Sequence, residues 1–211
     1  MGRVCVNDQS FGHRRFRWRG TVAIIVLVPA AVCTSLSAPL VPEQSLGHPF
    51  LQALAWIGFV AGALFRFWAT LYIGGRKECD LVTDGPYSLC RHPLYLGSLL
   101  LGISMSLFLE SPIFLLAVLA VGGVYTRGTI PVEEAVLHAR HGTRYEAYCR
   151  NVPRLLPRTI AVHSPKEIAV DVHRLWLECA RASRWVWLPI VGVTINHLRT
   201  LAWWPTFFRG L

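Results

Sequence analysis

Four long apolar blocks constrain this chain more than any other feature. Residues 21–41, 50–73, 94–109 and 112–126 are each near or a little below the roughly 20 residues that carry a helix across a bilayer. Backbone polar groups have no water partner in hydrocarbon, so each block must satisfy its own hydrogen bonds as a helix. Only Glu110 and Ser111 separate the last two blocks, which predicts a tight helical hairpin. Hydrophobic residues make up 53% of the 211 positions and charged residues 16%, too oily for an ordinary soluble domain. The fold class expected is an all-α integral membrane protein with four transmembrane helices. A pair of buried core helices in a soluble protein is the bland alternative.

The basic residues predict an orientation, because Lys and Arg near span ends stay cytoplasmic. Arg3, Arg14, Arg15, Arg17 and Arg19 precede the first block, and residues 38–49 contain no Lys or Arg. Arg76, Lys77 and Arg91 lie between the second and third blocks, and the hairpin tip carries only Glu110. Arg127, Arg140, Arg144, Arg150, Arg154, Arg158 and Lys166 follow the fourth. This alternation places the N-terminus and residues 84–97 in the cytoplasm, with a bacterial inner membrane as the expected location. The net charge of +9 then follows from topology and contact with anionic headgroups. No aromatic and basic recognition module accompanies it, so no nucleic acid is expected.

Cys5, Cys33, Cys79, Cys90, Cys149 and Cys179 form no C-x-x-C pair and imply no disulfide framework. His138, His141 and Cys149 lack a recognised zinc spacing, so no metal is expected. The basic arm, first apolar block and S-L-S-A at 35–38 also fit a cleavable signal peptide, but the regular charge alternation favours an uncleaved span.

Residues 1–158 read as one helical membrane unit and residues 159–211 as an extension. From Ser164, with Pro165 in the first turn, Ile168, Val172, Leu175 and Cys179 fall at helical spacing, as on an amphipathic surface helix. Residues 185–208 are apolar but interrupted by Pro189, Gly192, His197, Arg199 and Pro205. Their tryptophans suit the headgroup layer, so this segment is expected to lie in or dip into the membrane as a candidate fifth span.

Two polar clusters border the apolar blocks. In D-G-P-Y-S-L-C-R-H-P-L-Y-L-G, residues 84–97, Asp84, Gly85 and Pro86 signal a turn, and Pro93 pushes His92 away from helical angles. His92 is then held at a bend where its imidazole and freed backbone groups can face a ligand, with Tyr87 and Tyr95 flanking it. Gly97 and Gly102 permit close approach. Interfacial anchoring by Arg91, His92 and the tyrosines is the competing reading. In I-P-V-E-E-A-V-L, residues 130–137, Glu133 and Glu134 stand by Pro131 near an expected helix start, where the helix dipole also favours carboxylates. Glu133, Leu137 and His141 share a face at four-residue spacing.

The order G-P-Y, R-H-P-x-Y-x-G, E-E, G-x-x-Y-x-x-Y-x-x-x-V-P across residues 81–157 resembles the isoprenylcysteine carboxyl methyltransferase and phospholipid methyltransferase families of integral membrane enzymes. The resemblance implies a methyltransferase that uses S-adenosylmethionine, bound by a cofactor half at about residues 74–158. It maps cofactor contacts onto Leu81, Val82 and Tyr87, onto His92, Pro93, Leu94 and Tyr95, and onto Glu133 of the acid pair with Glu134 beside it. Arg91 would supplement the contact to the cofactor's carboxylate. Arg127 is the residue expected to position an anionic acceptor, although it stands six residues before Glu133 with Thr129 and Pro131 between. The acceptor is expected to be lipophilic, an isoprenylcysteine-like carboxylate or a lipid headgroup. A sterol-reductase-type oxidoreductase, which would need additional basic groups for nucleotide phosphates, and a non-catalytic scaffold are the alternatives.

Overall fold

The computed structural model describes residues 10–42, 44–73, 81–158, 161–165 and 172–207. Arg3, Cys5, Arg76, Lys77, Cys79, Lys166 and Ile168 lie outside the described residues. Regular structure among the described residues is helical: α1 (Ser10–Ser35), α2 (Gly47–Ile73), α3 (Pro86–Leu89), α4 (Pro93–Phe108), α5 (Pro112–Val124), a π-helical turn (Tyr125–Thr129), α6 (Ile130–His141), α7 (Thr143–Asn151), α8 (Val172–Trp185) and α9 (Trp187–Leu198). Two helical stretches, Gly47–Ile73 and Pro112–His141, are long and apolar enough to cross a membrane.

The second stretch joins what the sequence suggested were separate helices. Pro131 has no N–H and its ring would crowd the carbonyl four residues earlier, which argues for a break. The helix instead widens into the π-turn just before Pro131 and continues. The acid pair therefore rides on a continuation of the fourth apolar block.

The hairpin closes as expected, through a two-residue turn. Ser111 caps α5 by accepting from the Phe114 N–H at 3.2 Å, with Pro112 opening the first turn. Glu110 adopts a positive φ of 47° and is only 3% exposed. Its Oε1 lies 2.6 Å from His48 Nδ1 and accepts from Gln52 Nε2 at 3.3 Å, so the acid is tied to the start of α2.

Glycine lets α2 and α4 touch backbone to backbone. A Cβ at Gly62 would stand 3.1 Å from the Gly97 carbonyl oxygen and 3.1 Å from the Leu101 nitrogen, and a Cβ at Gly97 would meet Arg66 Cγ at 2.5 Å. Small residues at such crossings are the usual device where lipid supplies no hydrophobic drive. Gly62→Val is expected to destabilise the bundle by about 1–3 kcal/mol, the usual cost of overpacking. Thermal unfolding in detergent measures this, and an unchanged midpoint would show that the helices separate without cost.

The extension joins the two ends of the bundle. At one end, the His163 carbonyl accepts from the Gly85 N–H at 2.7 Å, and Ser164 Oγ lies 2.5 Å from Tyr72 Oη. Residues 161–165 are not helical, so the expected helix start at Ser164 and Pro165 is corrected: these residues brace the turn before α3. The described helix begins at Val172. Further along, the Arg66 guanidinium lies 4.6 Å from the Trp185 ring centroid. A Cβ at Gly192 would stand 2.7 Å from Phe108 Cβ, which marks α9 against the far end of α4. Arg199, 3% exposed, then donates to the carbonyls of Ser37 at 2.7 Å, Ala38 at 2.8 Å and Leu109 at 2.5 Å. These carbonyls follow helix ends, where no intrahelical donor reaches them. The described part of the extension thus contacts both ends of the bundle.

Candidate active site at the bend before the third block

The bend forms because its sequence leaves the backbone little choice. Gly85 takes φ 60°, a region that side chains disfavour, and Pro86 opens the four-residue α3. Pro93 begins α4, and His92 before it has φ −126° and ψ 62°, outside the helical region as the X-Pro rule requires. The bend is fastened from behind by the segment after α7: the Arg91 N–H donates to the Pro153 carbonyl at 2.9 Å, and the His92 N–H to the Arg154 carbonyl at 3.2 Å. The Tyr148 hydroxyl donates to the Tyr87 carbonyl at 2.7 Å. The G-x-x-Y-x-x-Y-x-x-x-V-P stretch is therefore the backing of the bend.

Four side chains meet in front of it. Tyr95, one turn into α4, donates to Glu133 Oε1 at 3.0 Å. His92 places Nδ1 3.9 Å from Glu133 Oε2 and Nε2 3.4 Å from Glu134 Oε1. Tyr95 also lies edge-on to Tyr125 of the π-turn, with ring centroids 6.1 Å apart. The sequence pairing of the R-H-P-x-Y segment with the acid pair is thus realised in space.

The two acids occupy different surroundings. Glu134 is enclosed: Arg91 Nη1 lies 2.8 Å from its Oε1, and Arg154 donates through Nε at 3.2 Å to Oε1 and through Nη2 at 2.5 Å to Oε2. Glu133 is the accessible carboxylate, with 39% side-chain exposure against 11% for Glu134. Arg91 also donates to Cys149 Sγ at 3.0 Å. Arg91 is thus directed toward Glu134 here.

The remaining expected residues divide similarly. Leu81 packs on Tyr145 and Tyr148, and Val82 and Leu94 pack around Tyr72 and Tyr87. Pro93 is buried. Tyr87 is 7% exposed, and its hydroxyl has no hydrogen-bond partner among the described residues. Arg127 is exposed on the π-turn and is not one of the contacts that join Glu133, His92 and Tyr95. His138 is engaged with Glu146 at 2.9 Å on the surface, and His141 closes α6. Arg154, which follows V-P in the motif, is not among the residues that the sequence pointed to; the return of the chain after α7 is what brings it to Glu134.

Burial, more than charge, sets the state of Cys90 and His92 in the bend. Cys90 is fully buried and its thiol is pushed up to about 12, which keeps it protonated and unreactive. His92 is held below its ordinary 6.5 by burial, which outweighs the raising influence of Glu133 and Glu134. The folded protein therefore binds its His92 proton less readily than the unfolded chain. This contribution is fully present above pH 6.5 and is lost as pH falls through the lower folded value. Unfolding followed across that interval should show stability falling with pH, less steeply in His92→Gln; an identical slope in the variant would remove His92 as its source.

Comparison with known proteins places the region that holds the bend in a known pattern. Residues 51–144 match the family model described as phospholipid methyltransferase. The chain is 29% identical over 195 residues to the nickel-cobalt-cadmium resistance protein NccN of Alcaligenes xylosoxydans xylosoxydans, covering 92% of this chain and 88% of that protein. It is 37% identical over 110 residues to the cobalt-zinc-cadmium resistance protein CzcN of Cupriavidus metallidurans, covering 52% of this chain and 50% of the relative. It is 35% identical over 82 residues to protein-S-isoprenylcysteine O-methyltransferase B of Arabidopsis thaliana, covering 39% and 42%. The chain thus spans most of the first relative but half or less of the other two. No solved structure matches. Residues 51–144, which hold the bend, the hairpin and the acid pair, carry the pattern of the phospholipid methyltransferase family and bear out the resemblance to membrane methyltransferases.

Proposed function

We propose that this chain transfers a methyl group from S-adenosylmethionine to a lipophilic acceptor, with its site at the cytoplasmic end of a membrane-embedded bundle. The observation that carries the reading is the meeting of His92 and Tyr95 with the accessible carboxylate of Glu133, inside the matched region. The donor set fits the cofactor: Glu133 suits its ammonium, backbone or His92 N–H groups suit its carboxylate, and the unpartnered Tyr87 hydroxyl remains for its polar atoms. When bound, the cofactor supplies an electrophilic methyl group.

The protein's task in such a transfer is alignment and exclusion of water, with no covalent nucleophile required. Tyr95 orients Glu133 by its 3.0 Å hydrogen bond. Glu134, gripped by Arg91 and Arg154, fixes the bend and the chain after α7 to α6, a positioning role. Arg127, exposed before the acid pair, is the proposed cation for an anionic acceptor. An acceptor dissolved in the bilayer would reach the site laterally, past Tyr95 and Tyr125.

Incubation of purified protein with methyl-labelled S-adenosylmethionine and a total lipid extract, followed by mass analysis, tests the proposal. Two relatives are named for metal resistance, so extracts from cells grown with and without cobalt belong in the panel. Absence of both cofactor binding and labelled product would defeat the reading. The reductase alternative needs basic groups for nucleotide phosphates, and Arg150, Arg154 and Arg158 could provide them. Oxidation of a reduced nicotinamide nucleotide in the same preparation, without label transfer, would favour that alternative.

A further inference from the structure

An open cavity of about 340 Å³ is lined by four arginines, Arg91, Arg150, Arg154 and Arg158, and by the chain at residues 149–153. Its volume lies at the lower end of the range for small-ligand sites. We infer that this cavity binds a phosphate-type anion, as a lipid headgroup or as a free phosphate.

The charge balance points to an anion. Two of the guanidiniums, those of Arg91 and Arg154, share the single carboxylate of Glu134. Arg150 and Arg158 are exposed, and no ion pair holds either among the described residues. Four positive charges around one compensating carboxylate leave a concave surface of one sign, and a cleft lined by one sign of charge focuses its field on a counter-ion. Guanidinium suits the ligand, since its planar donor fork matches phosphate oxygens two at a time. The Nε of Arg91 is buried without a hydrogen-bond partner among the described residues.

The position limits what the anion can be attached to. The cavity adjoins the bend before α4, at the bundle end that the basic residues assign to the cytoplasm, where phospholipid phosphates lie. Its wall is also the backing of the bend, because the Pro153 and Arg154 carbonyls accept from the Arg91 and His92 N–H groups. Arg154, with 47% side-chain exposure, can turn toward an anion while its main chain stays fastened.

The test uses the full chain in detergent, with Arg150→Gln/Arg158→Gln and the charge-retaining Arg150→Lys/Arg158→Lys as variants. Inorganic phosphate is titrated by calorimetry, and native mass spectrometry follows phosphatidylglycerol adducts against phosphatidylcholine adducts. Saturable phosphate binding is expected in the parent, weakened at least tenfold in the Gln variant and largely kept in the Lys variant. S-adenosylmethionine binding measured in parallel should change less than twofold, which separates this site from the proposed methyl-transfer site. A phosphatidylglycerol adduct lost in the Gln variant and displaced by phosphate would identify a lipid headgroup. Phosphate binding without such an adduct would identify a soluble phosphate. Neither saturable phosphate binding nor an adduct dependent on Arg150 and Arg158 would overturn the inference, as would equal phosphate affinity in the folded Gln variant.

Discussion

Glu134→Ala is expected to cost about 3–5 kcal/mol of stability, the range for removing one partner of a buried ion pair. The loss falls mainly on Arg91, with 15% side-chain exposure, because Arg154 at 47% can turn to water. His92 also loses a neighbour at 3.4 Å. Denaturant unfolding in detergent checks the prediction. A change under about 1 kcal/mol would place Glu134 among weak surface pairs. If the acid works through Arg91, then Arg91→Met together with Glu134→Leu should recover much of the loss, since replacing both partners with apolar groups leaves no stranded charge.

Glu133→Gln is expected to leave folding nearly intact and to weaken S-adenosylmethionine binding by about ten- to a hundredfold, equivalent to the roughly 1.5–3 kcal/mol of a hydrogen bond to a charged group. Its 39% side-chain exposure argues for the lower part of that range, because water screens part of the attraction. Tyr95→Phe, which removes the hydroxyl that orients Glu133, should weaken binding in the same direction but less. Calorimetric titration separates binding from stability. Unchanged affinity in folded Glu133→Gln would remove this carboxylate from the cofactor site. Large losses of stability in both variants, with affinity per folded molecule retained, would instead favour interfacial anchoring.

The bend was legible because its rules are local: Pro93 constrains His92, Gly85 and Pro86 make a turn, and the sequence order brings the acid pair back after a two-residue hairpin. The apolar blocks located α2, α4 and α5 closely, since lipid leaves backbone groups few alternatives. What composition could not show was the division between Glu133 and Glu134. Adjacent carboxylates on a helix point in different directions, and only the return of the chain after α7 decides which one meets Arg154. The π-turn was hidden for a related reason: Pro131 signals a broken hydrogen-bond ladder without saying whether the helix ends or widens. The extension was legible in part: the helical spacing on Val172 and Cys179 returns as the exposed helix α8, but starting at Val172 and not at Ser164. Its contacts with Tyr72, Gly85, Ser37 and Leu109, distant in sequence, were not legible.

The contacts after α9 have a consequence for any protein fused to this one. The Phe207 N–H donates to the Leu36 carbonyl at 2.9 Å, so residue 207 lies beside the end of α1. A tag placed after residue 207 would therefore emerge next to that helix end, and protease added outside sealed vesicles would report which compartment it faces.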